Sequence, residues 1–281
     1  VNATGGSILA PGGSSQTIGG VAISGAEVTV DGGEIVGGQA ATQGGDAISE
    51  SSVSIHSGSI TGGQAGTSGG TGLEDCQVTM PGGTVTGGSA GTGGGVAINR
   101  GSLTLSGGTV TGGTGDTAGG QAVQHATVQL SGGEIQGGAG SMGGALAILG
   151  GSAGITGGTI TGSLSRVTGL QMSNGEIDGN VLLAKGTASV TGGTITGTIT
   201  FNGSTFLTVE GGTFESELAL SLTTGAQAAV RGGSFRGSWR LADRSVVVVT
   251  GQGLAFSGKR LTGTLEDGTA IDIAVELGLG S

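Results

Sequence analysis

The sequence predicts an all-β fold: a single-stranded parallel β-solenoid of about 11–12 coils, right-handed because strict hexapeptide phasing is absent. Three observations predict it. Val28, Val53, Val78, Leu103 and Val128 open successive repeats at one unvarying spacing, and Ala153 opens the next. Each repeat begins with a variant of V-T-V-x-G-G-x-I-x-G-G. Glycine supplies 70 of 281 residues, mostly as pairs at fixed phase. Inside a helix each glycine costs about 1 kcal/mol, so helical repeats are disfavoured. Small aliphatic residues, many of them β-branched, also recur at fixed phase, as stacked strands require.

Residues 1–27 form the first repeat, with two extra residues near Ala10-Pro11. Five repeats of equal length follow, from 28 to 152. The starts then fall at Ala153, Leu170, Ala188, Leu207, Ala228 and Val247, with spacings of 17, 18, 19, 21 and 19. The six long coils of 25–27 residues carry a G-G-x5-G-G arc, and the coils of 17–21 residues have lost it. A coil of about 17–19 residues suffices for three short strands joined by tight corners. At a rise of about 4.8 Å per coil the chain predicts a rod near 55 Å long. Three segments result. Residues 1–152 are a long-repeat solenoid with Gly-rich arcs, and 153–258 a short-repeat solenoid continuing the same rod. Residues 259–281 are a hairpin and strand, read as a cap or assembly segment.

Three columns are expected to face inward. The first is Val28, Val53, Val78, Leu103 and Val128, continuing to Leu207. The second runs from Ile8 through Ile35, Ile60, Val85, Val110, Ile135, Ile160, Ile177 and Ile195 to Phe214 and Phe235. The third is Ile23, Ile48, Leu73, Ile98, Val123 and Ile148. All five phenylalanines and Trp239 follow residue 200, so the C-terminal third is expected to have a thicker core.

Composition excludes several classes. Collagen is excluded, since there is no Gly-X-Y frame and the only prolines are Pro11 and Pro81. The net charge is −10, and residues 1–165 hold nine acids against Arg100 alone. Without a basic stripe, nucleic acid and anionic membranes are not expected partners. No apolar run approaches the length of a membrane span. The chain opens on Val1 without a signal-like segment, which fits a processed, exported protein. Cys76 has no partner for an internal disulfide and stands where other repeats carry Ser51, Gly101, Ala126 and Gly151.

The chemistry-bearing patterns are sparse. Thr84, Thr86, Thr109, Thr111, Thr159, Thr161, Thr194 and Thr196 flank the second column and give outward Thr-x-Thr rows. Such rows resemble the flat ice-binding face of β-solenoid antifreeze proteins. They are also what an exposed strand selects, and Glu34, Glu134 and Glu176 interrupt them. The arcs 39–43, 64–68, 89–93, 114–118 and 139–143 read either as tolerated bulges or as a smooth ledge for lateral bundling. His56 and His125 fall at different repeat phases and are not expected to meet as metal ligands. No metal, cofactor or catalytic residue is expected. An Arg cluster (Arg231, Arg236, Arg240, Arg244) is the weak case for a carbohydrate-active enzyme. Glu210 with Arg231, and Glu215 with Arg236, are expected to form ion pairs between adjacent coils.

The G-G-x-[IV]-x-G phrases, from Gly5-Gly6-Ser7-Ile8 to Gly232-Gly233-Ser234-Phe235, resemble the repeats of bacterial surface and autotransporter-passenger β-helices. The tail Leu261-Thr262-Gly263-Thr264-Leu265-Glu266-Asp267-Gly268-Thr269 is similar to the endings of exported bacterial repeat proteins. The resemblance implies a prokaryotic cell-surface or secreted setting, and no family catalytic motif maps onto this chain.

A solenoid end is an open sheet edge that soluble proteins normally cover. The apolar residues at the two ends (Val1, Ala3 and Ile8; Leu261, Leu265, Ile271, Ile273 and Val275) are therefore expected to form a head-to-tail interface between copies of the chain. The function expected is that of a non-enzymatic extracellular structural protein building a filament or surface matrix. An adhesin or ice-binding protein is the alternative.

Overall fold

The computed structural model describes residues 1–13, 17–142 and 145–278. Among them the protein is all-β, without a helix, and its strands are mostly parallel. The chain divides into two compact units, Val1–Gly151 with Gly158–Ser163, and Ser152–Gly157 with Leu164–Ser281.

In the first unit each strand pairs with its counterpart one repeat later. Val28 is the Cα partner of Val53, Val53 of Val78, Val78 of Leu103, and Leu103 of Val128. The first repeat pairs Asn2 with Thr29 and Ile8 with Ile35, a slightly wider offset that absorbs its extra length. The offset is otherwise uniform because every repeat places the same small side chains on the same rung, so no side chain has to slip.

The expected inward columns are buried, except that Ile8 at the first rung and Phe235 near the last are half-buried. A fourth column lies beside them: Val30, Ile55, Met80, Leu105 and Leu130, each at 1% exposure or less. It is the third residue of the V-T-V phrase, and strand alternation puts it on the same face as Val28. Ala47, Ala97, Ala122 and Ala147 fill a narrower buried row next to the third column.

In the second unit the offsets shorten as the sequence spacing does. Leu170 pairs with Ala188, Ala188 with Leu207, Leu207 with Ala228, and Ala228 with Val247. With the arc gone, a third strand follows the Gly corner directly. Leu164, Val181, Ile199, Leu220 and Trp239 form its buried column. Phe214 and Phe235 stack with centroids 4.5 Å apart, and Phe235 meets Trp239 edge to face at 5.1 Å. The thicker core is thus a short aromatic stack.

The C-terminal segment begins earlier than residue 259. Gly251–Ser257, Arg260–Leu265 and Ala270–Leu277 form an antiparallel meander. Its second turn is the expected one around Asp267-Gly268, with Gly268 at φ +86°. Ala270–Leu277 also pairs in parallel with 238–241 of the same unit. Residues 279–281, at the end of the assembly segment proposed from sequence, lie outside the described residues, as does Gly143 at the end of the last arc.

Candidate functional surfaces

The Gly-rich arcs are necked loops, and the necks are closed by the chain's own backbone. The Gly45 N–H donates to Gly38 O at 2.8 Å across the base of one arc, and Gly63 N–H donates to Gly45 O at 2.7 Å in the next coil. The alternation continues through Gly70, Gly88, Gly95, Gly113, Gly120 and Gly138 at 2.7–2.8 Å. The first glycine of each pair bonds the opposite way, as Gly62 N–H does to Thr86 O at 2.9 Å. Two passes of backbone therefore meet with no room for a side chain. A Cβ on Gly44 would lie 2.6 Å from Gly70 N, and one on Gly88 would lie 2.6 Å from the same atom.

The arcs are not bulges. Ala40, Ala65, Ala90 and Gly115 bridge in parallel from coil to coil, as do Ile18, Gln43, Ser68, Gly93 and Ala118. The close approach their glycines permit is to their own chain. The arc tips, such as Gln64 and Thr67, reach solvent.

The Thr rows stand where the spacing put them. Thr84 and Thr86 are the Cα partners of Thr109 and Thr111, which pair in turn with Glu134 and Gln136. Thr159 and Thr161 follow on the far side of that interruption. Thr161 Oγ1 donates to Glu134 Oε1 at 3.2 Å, so the acid is tied into the row. In the second unit Thr194 pairs with Glu176 and Thr213, and Thr196 Oγ1 donates to Asp178 Oδ1 at 2.7 Å.

One corner of the first unit went unnoticed in the sequence. Gly25, Glu50, Asp75, Arg100, His125 and Gly150 share a repeat phase, and all six have left-handed φ, from 49° at Glu50 to 71° at Gly150. Four carry charged or titratable side chains in a conformation that disfavours any Cβ. Arg100 binds Asp75 at 2.9 Å and Glu74 at 3.2 Å. Burial pushes the Glu74 carboxyl above its usual range, against the hydrogen bond from Asn99 and the charge of Arg100. Immediately inside this corner Cys76 is buried, and that burial pushes its thiol up.

In the second unit Arg231 Nη1 lies 3.8 Å from Glu210 Oε1. Glu215 and Arg236 are Cα partners, but no ion pair joins them among the described residues. Arg240 pairs instead with Glu276 at 3.0 Å and Arg260 with Asp272 at 2.6 Å, which ties the last strand down.

The end residues require a correction. Leu265, Ile271, Ile273 and Val275, expected at an interface between copies, are buried at 4% exposure or less in their own unit. Their alternation inward is used when Ala270–Leu277 docks on 238–241. Leu261 is half-buried. At the other end Ala3 is buried and Val1 is exposed. The exposed apolar strand is Val246–Val249, paired with 227–230 on one edge and with no strand on the other among the described residues. Val246 and Val248 are 49% and 56% exposed.

Among the described residues no group of three or more His, Cys, Asp or Glu side chains gathers at a metal-sized site, and no helix is long and apolar enough to cross a membrane. Comparison of the chain with protein-family models, curated proteins and solved structures gave no match.

Proposed function

We propose that the chain is a right-handed parallel β-solenoid and a non-enzymatic, extracellular structural protein that associates with itself end to end. The observation that carries this reading is the Gly neck. Gly38, Gly45, Gly63, Gly70 and their successors join successive passes by backbone hydrogen bonds. That device is made of backbone alone and stiffens the fold along its stacking direction. It supports a mechanical or spacing role over a site built from a few side chains.

Self-association rests on the unpaired edge of Val246–Val249. An exposed apolar strand edge is a template for β-addition. In this reading it receives the edge of Asn2–Ala3 from another copy, the strand that holds the same place in the repeat. A heterologous contact of this kind propagates into a filament. The cell-surface setting rests on the resemblance of the Gly-Gly phrases to bacterial surface β-helices.

The test is negative-stain electron microscopy of purified protein across a concentration series. Filaments one chain wide are expected. They should be lost in Val248→Lys, which places a charge on the edge strand and should melt as the parent does. Uniform single particles at high concentration overturn self-assembly.

A second reading, a surface adhesin or ice-binding protein, has the aligned Thr84, Thr86, Thr109 and Thr111 in its favour. It predicts ice shaping that is lost in Thr86→Lys/Thr111→Lys.

A further inference from the structure

Asn-Gly occurs twice in the chain, at Asn174-Gly175 and Asn202-Gly203, both in the second unit. The dipeptide is chemically weak. The backbone nitrogen after an asparagine can attack the side-chain amide carbon, and glycine, without a Cβ, hinders that approach least. The fold places the two pairs in unlike surroundings.

Asn174-Gly175 is a coil corner, in the place that Gly192-Gly193 holds one coil on. Asn174 is exposed, and Gly175 has φ +90°. The ladder to the next coil reaches Met172 with Val190 and resumes at Glu176 with Thr194, so 173–175 lie outside it. The Asn174 side chain makes no hydrogen bond among the described residues. Asn202-Gly203 is pinned instead. Asn202 is half-buried, and its N–H donates to Leu183 O at 3.1 Å. The Gly203 N–H, on the nitrogen that would attack, donates to Thr223 Oγ1 at 3.1 Å, and Thr223 Oγ1 donates to Phe201 O at 2.9 Å. The Thr205 N–H donates to Gly203 O at 2.9 Å.

We propose that Asn174 is a site of spontaneous modification in the folded protein, deamidating through a cyclic imide with Gly175, and that Thr223 protects Asn202 from the same reaction. The Gly175 nitrogen bonds to the Asn174 Cγ, the Cγ–Nδ2 bond breaks, and the displaced proton leaves with the nitrogen as ammonia. Water then opens the imide at either carbonyl, giving aspartate or isoaspartate. Either product puts a further acid beside the exposed Glu176 and Asp178. Isoaspartate also lengthens the backbone by a carbon between the buried Met172 and Ile177. Their partners Val190 and Ile195 are set by register, and the two ladders cannot both keep it. The corner thus limits how long the second unit keeps its packing.

Trypsin separates the two pairs, because Arg166, Lys185 and Arg231 bound the peptides 167–185 and 186–231. The intact protein is held warm at mildly alkaline pH, and the peptides are followed by mass spectrometry with fragmentation. The first peptide is expected to gain the mass of an amide-to-acid exchange at Asn174, divided between two isomers. Asn202 should react roughly tenfold more slowly, the worth of one hydrogen bond. Thr223→Val should bring Asn202 up to the rate of Asn174. In urea-unfolded parent the two sites should react alike, and this comparison decides the matter even where Thr223→Val does not fold. After the same treatment the parent should melt lower, and Asn174→Gly should melt as before. Equal rates at the two sites in the folded parent overturn the inference. So does an Asn174 that reacts only when unfolded, a folded Thr223→Val in which Asn202 stays protected, or an aged parent that melts unchanged.

Discussion

The N–H of Gly70 donates to Gly63 O at 2.8 Å across the neck of one arc, and the N–H of Gly88 donates to Gly70 O at the same distance one coil on. The two bonds show why the glycines come in pairs. One glycine of each pair serves the coil ladder, the other closes the neck, and neither position has room for a methyl group. Gly88→Ala would press a Cβ against Gly63 and Gly70 and should cost about 3 kcal/mol. Gly93→Ala is the control, since nothing lies within 4 Å of the added carbon; it should stay within about 0.5 kcal/mol of the parent. Urea unfolding of the two variants checks the difference.

Glu50 holds a left-handed φ of 49° at an exposed corner where Gly25 and Gly150 hold the same place in other repeats. Glycine adopts that conformation without the Cβ penalty. Glu50→Gly should therefore raise stability by about 1 kcal/mol, read as a higher melting temperature. A fall would mean that the Glu50 side chain makes a contact worth more than the strain.

Asp267 clamps the last hairpin to the strand Gln227–Leu241. Its Oδ2 accepts from Gly233 N–H at 2.7 Å and from Thr269 Oγ1 at 2.9 Å, and its Oδ1 accepts from Thr269 N–H at 2.9 Å. Partial burial pushes the carboxyl up, but these hydrogen bonds outweigh it and hold the group below the usual carboxylate range. A carboxyl depressed in the fold contributes stability that is present above its unfolded pKa and lost as pH falls through the folded value. Asp267→Asn should remove that acid-side loss and cost about 1 kcal/mol at neutral pH. Melting curves from strongly acidic to neutral pH check it.

Cys76 is buried, and burial raises its thiol pKa. The thiolate is the reactive form. A disulfide reagent should leave the folded protein unmodified for hours and label it at once in denaturant. Fast labelling of the native protein would show that the corner beside Asp75 opens.

The register of the first unit was legible because the same side chain recurs at one unvarying spacing, so sequence position alone gives the partner. The Gly neck was not, because its bonds join backbone atoms and leave no pattern of side chains. The left-handed corner was hidden for a related reason. Glu50, Asp75, Arg100 and His125 share a backbone conformation but no chemistry. The third column of the short repeats, Leu164 to Trp239, escaped because the arc that marked its place is absent there. The alternation of Ile271, Ile273 and Val275 announced a strand with one apolar face. It did not say that 238–241 of the same unit would cover that face.

The central claim is parallel stacking of each repeat on the next at a fixed offset, and an engineered disulfide tests it most directly. In a Cys76→Ser background, Thr84→Cys with Thr109→Cys joins Cα partners on adjacent rungs, about 4.8 Å apart and within disulfide reach. Thr84→Cys with Thr159→Cys joins positions three repeats apart, about 14 Å. The first pair should oxidise completely in the folded protein, with the loss of two hydrogens by mass spectrometry, and the second should stay reduced. Closure of the second pair, or failure of the first, contradicts the stacked register.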